Sequence, residues 1–190
     1  VYALGEADIP PIPVRYRLAD GAEGEASSGA VPLKVVSLLP KGRLDAADVD
    51  VPGDPSSAAF LAGLAALGGA REGLAIGNVG INPARSGAFQ VLTRMGAALR
   101  YEDVADQGGE PVATVQVSRG SLRGTTVRPD EVPSLIDELP LLACVAARAE
   151  GETRVTGAAE LRVKESDRIA AIVANLRAVG ADAEELPDGF

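Results

Sequence analysis

Leu161-Arg162-Val163-Lys164-Glu165-Ser166-Asp167-Arg168 runs straight into Ile169-Ala170-Ala171-Ile172-Val173-Ala174-Asn175-Leu176-Arg177-Ala178-Val179-Gly180. The second part reads as an amphipathic helix from about Ser166. Ile169, Ile172, Val173, Leu176 and Val179 form its apolar stripe and Gly180 is its stop. In the first part, six polar residues, five of them charged, fall within the seven positions 162–168. Lys164 and Arg168 are four apart and share a helical face, and Glu165 is three from Arg168. Two cations and a carboxylate thus stand at the mouth of a helix, where free backbone N–H groups also favour anions. That combination suits binding of a phosphate or carboxylate with proton transfer beside it. A solvated charged turn opening a surface helix fits the same residue types.

Working back from Gly180, the same order of elements occurs twice. Asp54-Pro55 opens an apolar helix to about Leu67, with Asp54 as cap and Pro55 at the first helical position. Leu74–Val79 reads as a strand. Asn82-Pro83 caps a second helix with Ala88, Val91, Leu92 and Met95 on one face and Gly96 as its stop. Ala97–Tyr101 and Val112–Val117 read as strands around Gly108-Gly109. Then Thr125–Val127 is a strand, Asp137–Ala149 an apolar helix, Thr153–Thr156 a strand, the Ser166 helix follows, and Ala181–Leu186 starts another strand. Met95-Gly96-Ala97 and Val179-Gly180-Ala181 hold the same place in each copy, as do Asp54 and Asp137. The expectation is an α/β domain over 49–190 made of two repeated units, about 49–118 and 119–190, with sheets covered by helices. Residues 1–44 lack a sustained period. Pro10, Pro11 and Pro13 precede a strand-like Val14–Leu18, and Pro32 and Pro40 bound an apolar Val31–Leu39. One or two strands or a short helix are expected there.

Composition limits the function classes. Of 190 residues, 46% are hydrophobic with no Trp, 3 Phe and 3 Tyr, so the core is built from Ala, Val, Leu and Ile. The formal charge of −9 argues against a nucleic-acid or acidic-membrane surface, and an anionic substrate would need a local cationic pocket. Arg supplies 15 of 18 basic residues, which favours forked recognition of phosphate and carboxylate. With no His, Ser-His-Asp chemistry and most zinc sites are excluded. The single Cys144 sits in an apolar run and reads as a small core residue. No apolar run reaches membrane-spanning length and Val1 opens no signal peptide, so a reducing cytoplasmic setting is expected.

The octet Leu161–Arg168 resembles the motif of the 5-enolpyruvylshikimate-3-phosphate synthases, the 3-phosphoshikimate 1-carboxyvinyltransferases of the shikimate pathway. Three further segments are similar to that family in the right order: Val51-Pro52-Gly53-Asp54-Pro55-Ser56-Ser57-Ala58-Ala59-Phe60, Asn78-Val79-Gly80-Ile81-Asn82-Pro83, and Ile136-Asp137-Glu138-Leu139-Pro140. The resemblance runs from about Val49 to Phe190. It implies a fold of repeated βαβαββ units in two domains. Here that means about two units plus a degenerate N-terminal segment, residues 1–48, as an irregular remnant of the second domain. It also implies transfer of the enolpyruvyl group of phosphoenolpyruvate to the 5-hydroxyl of shikimate 3-phosphate with release of phosphate, without cofactor or metal, in a usually monomeric enzyme. Such a reaction protonates the enol carbon, takes a proton from the hydroxyl and passes through a highly anionic intermediate, so it needs two proton-exchanging carboxyls and fixed cations.

Carried over by the same resemblance, Asp137 is a base at the shikimate hydroxyl and Glu165 the second acid/base carboxylate. Lys164 contacts the hydroxyl or intermediate, and Arg168 binds phosphoenolpyruvate. By position alone Asp137 reads equally as a helix cap. Ser56 and Ser57 at a helix start admit a phosphate site, although capping explains them. Ser27 and Ser28, in Ala26-Ser27-Ser28-Gly29-Ala30-Val31-Pro32-Leu33-Lys34, are similar to the family's serine-rich segment for the shikimate phosphate, without its glutamine and with Pro32 in place of a helix. The family's amino-terminal lysine-and-arginine segment, its later arginine and lysine, and its His-bearing motifs have no counterpart. A truncated or internal fragment, inactive alone, is therefore expected. A non-catalytic anion- or partner-binding module on the same scaffold is the alternative.

Overall fold

Backbone pairing, not apolar periodicity, organises the first part of the chain. The computed structural model describes residues 5–9, 13–17, 23–27, 30–35 and 50–190, in two compact units, Val1–Asp48 and Val49–Phe190. In the first unit β1 (Gly5–Ile9) pairs antiparallel with β4 (Val31–Val35), and β2 (Pro13–Arg17) with β3 (Glu23–Ser27). Four strands stand where one or two, or a short helix, were expected. Glu23-Gly24-Glu25-Ala26-Ser27 carries no apolar alternation, so no period betrays it. Its register sets Glu25 opposite Arg15 and Glu23 opposite Arg17.

The second unit is mixed α/β. α1 (Pro55–Ala66) starts at Asp54, whose carboxylate accepts from the Ser57 N–H at 2.8 Å, with Pro55 in the first turn. β5 (Leu74–Gly80), α2 (Gly87–Arg94), β6 (Ala98–Gln107) and β7 (Glu110–Ser118) follow, and the three strands form an antiparallel sheet in the order β5-β7-β6. Gly53 bridges in parallel to Val79. β8 (Thr126–Val127) pairs in parallel with β9 (Arg154–Val155). Between them come 3-10 turns at Val132–Ser134 and Ile136–Glu138 and then α3 (Leu139–Ala146). After the 3-10 turn Ala159–Arg162, α4 (Arg168–Ala178) is capped by Asp167.

The core joins these elements through Phe89, Leu92, Met95, Leu135, Leu139, Leu161 and Ile169, all fully buried. The stripe Ala88, Val91, Leu92 and Met95 is buried as expected. On α4 the stripe holds for Ile169, Ile172 and Val173, but Val179 is 80% exposed. α1 is apolar on every side. It buries Ala58, Ala59, Ala62, Gly63, Ala65 and Ala66, while Phe60, Leu61, Leu64 and Leu67 face outward. α1 and α3 approach closely at Gly63, where even a methyl would stand 3.1 Å from Leu141 Cδ1.

Several expectations are corrected. Asn82 does not cap α2. Its side chain closes a local turn on the Ala84 N–H at 3.0 Å, and the helix starts only at Gly87. Asp137 caps nothing and lies in the 3-10 turn before α3. Cys144 is exposed rather than in the core. Being apolar all round, α3 gives its sequence neighbours no power to assign a face. Residues 181–186 form no strand. Leu186 makes only an isolated antiparallel bridge to Gly189, while guanidinium groups bond two carbonyls of the segment, Ala183 from Arg177 and Leu186 from Arg162.

Candidate active site

Asp137 and Arg168 are 31 residues apart and meet because their two helix starts lie side by side. The 3-10 turn Ile136–Glu138 holds Asp137 just before α3, and Arg168 is the first residue of α4. Arg168 Nη1 reaches Asp137 Oδ1 at 3.5 Å. The same guanidinium holds Glu165 Oε1, through Nε at 3.1 Å and through Nη2. Lys164 Nζ lies 2.9 Å from Glu160 Oε1. The two carboxylates point outward, with Asp137 60% and Glu165 69% exposed, whereas Arg168 and Lys164 are 27% and 28% exposed. A packed pair of cations with two accessible carboxylates therefore forms one open edge of the second unit.

Electrostatics link the four. The hydrogen bond from Arg168 is the main cause that holds the Glu165 carboxyl below its ordinary value, and Lys164 adds to it. The Glu160 carboxylate raises the Lys164 ammonium, with a further contribution from Asp137 and an opposing one from Arg168. Arg168 is raised first by Glu165 and then by Asp137. This favours an ionised Glu165 and a charged Lys164 around one guanidinium that bonds both Glu165 and Asp137. A dianionic ligand arriving here competes for Arg168 and repels Glu165. Both effects drive the Glu165 carboxyl upward towards proton uptake.

The structure thus brings together Asp137, Lys164, Glu165 and Arg168. Ser27 lies exposed in β3 of the other unit, and Ser28 falls outside the described residues. Helix capping accounts for Ser56 and Ser57. The Asp54 carboxylate already occupies that helix start, bonding the Ser57 N–H and hydroxyl, and Arg85 reaches Ser56 Oγ at 3.2 Å. Two roles escaped the sequence reading. Glu160 is the resting partner of Lys164, a pairing legible in its i,i+4 spacing. Arg162 and Asp167 bond each other at 2.8 Å, with no bond to Asp137, Lys164, Glu165 or the Arg168 side chain. Among the described residues no group of three or more His, Cys, Asp or Glu could hold a metal ion, and no helix is long and apolar enough to cross a membrane. A cavity of about 490 Å³ opens elsewhere, between the far ends of α3 and α4, and none of the four candidate residues lines it.

Residues 33–190 match the EPSP synthase (3-phosphoshikimate 1-carboxyvinyltransferase) family. The 3-phosphoshikimate 1-carboxyvinyltransferase of Thermus thermophilus is 48% identical over 193 residues, covering 99% of this chain and 44% of the relative. That of Zymomonas mobilis is 42% identical over 188 residues, covering 96% and 41%. The solved structure of EPSP synthase from Acinetobacter baumannii superposes with a TM-score of 0.71 at 38% identity, covering 98% of this chain and 42% of that one. The chain spans about two fifths of the length of the curated relatives it matches. Over nearly all of its own length, however, sequence and structure agree, and the chain belongs to the EPSP synthase family.

Proposed function

We propose that this chain supplies one wall of an enolpyruvyl transferase site that takes phosphoenolpyruvate and shikimate 3-phosphate and releases phosphate. The observation that carries the reading is the convergence of Asp137 and Glu165 on Arg168, with Lys164 beside them. In this reading Arg168 binds the phosphoenolpyruvate anion and Lys164 leaves Glu160 to contact the shikimate hydroxyl or the intermediate. Asp137 takes the hydroxyl proton. Glu165, freed from Arg168 and pushed upward by the incoming negative charge, carries the proton exchanged with the enol carbon. Ser27 and Ser28 are assigned to the shikimate phosphate by resemblance alone. No cofactor or nucleic acid enters the scheme, and the setting is cytoplasmic.

The same reading describes the fold as two βαβαββ units, about 49–118 and 119–190, with 1–48 as a remnant of a second domain. Supporting it, Gly53, α1, β5, α2, β6 and β7 follow that order, and β8, α3, β9 and α4 repeat its first four members. In each, a parallel pairing spans an apolar helix, a single bridge from Gly53 to Val79 in the first and β8 with β9 in the second. A helix apolar all round is a buried helix in a finished protein. The outward Phe60, Leu61, Leu64 and Leu67 therefore favour a chain that is one part of a larger enzyme.

The site has cations on one side only, and a strongly anionic transition state needs donors around it. Losing one such donor costs about 10²–10³ in rate. The isolated chain is expected to bind phosphoenolpyruvate weakly and to release no phosphate in a coupled assay with both substrates. Arg168→Ala should weaken that binding by about tenfold or more, since a hydrogen bond to a charged group contributes about 1.5–3 kcal/mol. Wild-type binding unaffected by Arg168→Ala would refute the site. Turnover abolished by Arg168→Ala would refute the inactivity of the lone chain. Binding that persists without turnover even when the rest of a relative's enzyme is supplied favours a non-catalytic anion-binding module. The observation behind that second reading is that Arg168 is already neutralised by two carboxylates.

A further inference from the structure

Arg162 makes more hydrogen bonds than any other side chain near the motif, yet it touches none of the four site residues. It is the last residue of the 3-10 turn Ala159–Arg162, anchored by the fully buried Leu161. Its Nε donates to the Pro187 carbonyl at 2.7 Å and its Nη2 to the Leu186 carbonyl. Its Nη1 donates to Asp167 Oδ2 at 2.8 Å and to Glu185 Oε1 at 2.9 Å. Asp167 uses its other oxygen, Oδ1, to accept from the Ala170 N–H at 3.0 Å and so starts α4. The Ala170 N–H is the main cause that holds the Asp167 carboxyl low, and Arg162 adds to it, so Asp167 is ionised for both partners.

The consequence lies in what these bonds enclose. Arg162 and Asp167 stand at the two ends of a short loop, and the residues between them are Val163, Lys164, Glu165 and Ser166. That loop turns Val163 out to solvent, 81% exposed, and its two charged side chains are tied, among the described residues, only to neighbours on the same stretch, Lys164 to Glu160 and Glu165 to Arg168. We infer that Arg162 is a positioning residue. By joining Asp167 to the Glu185–Pro187 segment, it closes the loop and holds Lys164 and Glu165 in register with Arg168 before any ligand arrives. A planar fork bonding two carboxylates and two carbonyls at once cannot be replaced by lysine, whose ammonium is a point charge with three donors. Holding binding groups in place beforehand removes an ordering cost from ligand binding. The clasp stands on geometry alone. Only the identity of the ligand rests on the function proposed above.

The test is Arg162→Lys in the 190-residue chain, with Asp167→Asn as the second variant, because asparagine keeps an oxygen for Ala170 and loses the charge facing Arg162. Backbone ¹⁵N order parameters should fall at residues 163–166 from about 0.85 towards 0.6 or below, while those of β5, β6 and β7 stay unchanged. The double variant should lose no more order than either single one. Phosphoenolpyruvate affinity should fall about tenfold in each, as expected from lost preorganisation. Unchanged order at 163–166 in Arg162→Lys would overturn the inference, as would equal loss throughout the unit, which marks mere destabilisation. If the wild-type chain binds no phosphoenolpyruvate, the proposed function fails while the order-parameter comparison still decides the clasp. If Arg162→Lys does not fold, Asp167→Asn decides it by the same measurement.

Discussion

Arg168 is shared between Asp137 and Glu165, so each carboxylate senses a ligand through one guanidinium. For Glu165 the sign of its pH dependence follows. Its folded-state value lies below the unfolded one, so the unfolded chain binds the proton first as acid is added. Its contribution to stability is present above the unfolded value, about 4.3, and is lost as pH falls through the lowered folded value. Glu165→Gln should remove that part of the acid dependence. Thermal melts of wild type and variant should run closer together at low pH than at neutral pH, and a constant gap across the series would contradict the pairing. Sequence made Lys164, Glu165 and Arg168 legible because they lie within five residues at helical spacing. Arg162 was not legible in the same way. Three of its four partners are 23–25 residues away, and two of those are carbonyl oxygens, which carry no sequence signature.

At the scale of elements, caps and stops read well where chain-local chemistry sets them. Asp54 caps α1, and Gly96 and Gly180 follow their helices at φ of +102° and +85°. Reading failed where another segment intervened. α2 starts late, at Gly87, after the Asn82 turn, and Ser134 and Leu135 pack against Gly87 so closely that no side chain fits there. The matched glycines also differ in surroundings. A Cβ at Gly96 would stand 2.6 Å from the Ser121 carbonyl oxygen, while one at Gly180 meets nothing within 4 Å. Gly180→Ala should therefore cost only the left-handed penalty, about 1–2 kcal/mol. Gly96→Ala should cost clearly more, because backbone must also move. Urea denaturation of the two variants checks the order. Equal losses would show that the helix stop alone governs both positions.

Over the whole molecule, the second unit was largely readable because helix and strand periods alternate there, whereas the first unit hid four strands behind Pro, Gly and charge. α1 illustrates the limit of periodicity. Its outer Phe60 and Leu64 and its inner alanines are equally apolar, so pattern alone cannot divide covered face from open face. The exposed Cys144 lies three residues from Leu141, the side chain on which α1 rests at Gly63. Since the chain has a single cysteine, oxidation can join two molecules and never a third. On a non-reducing gel the purified chain should give two bands, monomer and dimer, and one after reduction. A third rung under oxidising conditions would mean that something other than this thiol makes the link. Cross-linking that stays fast at high dilution would show that the open flank of α1 finds its own copy before the sulfurs react.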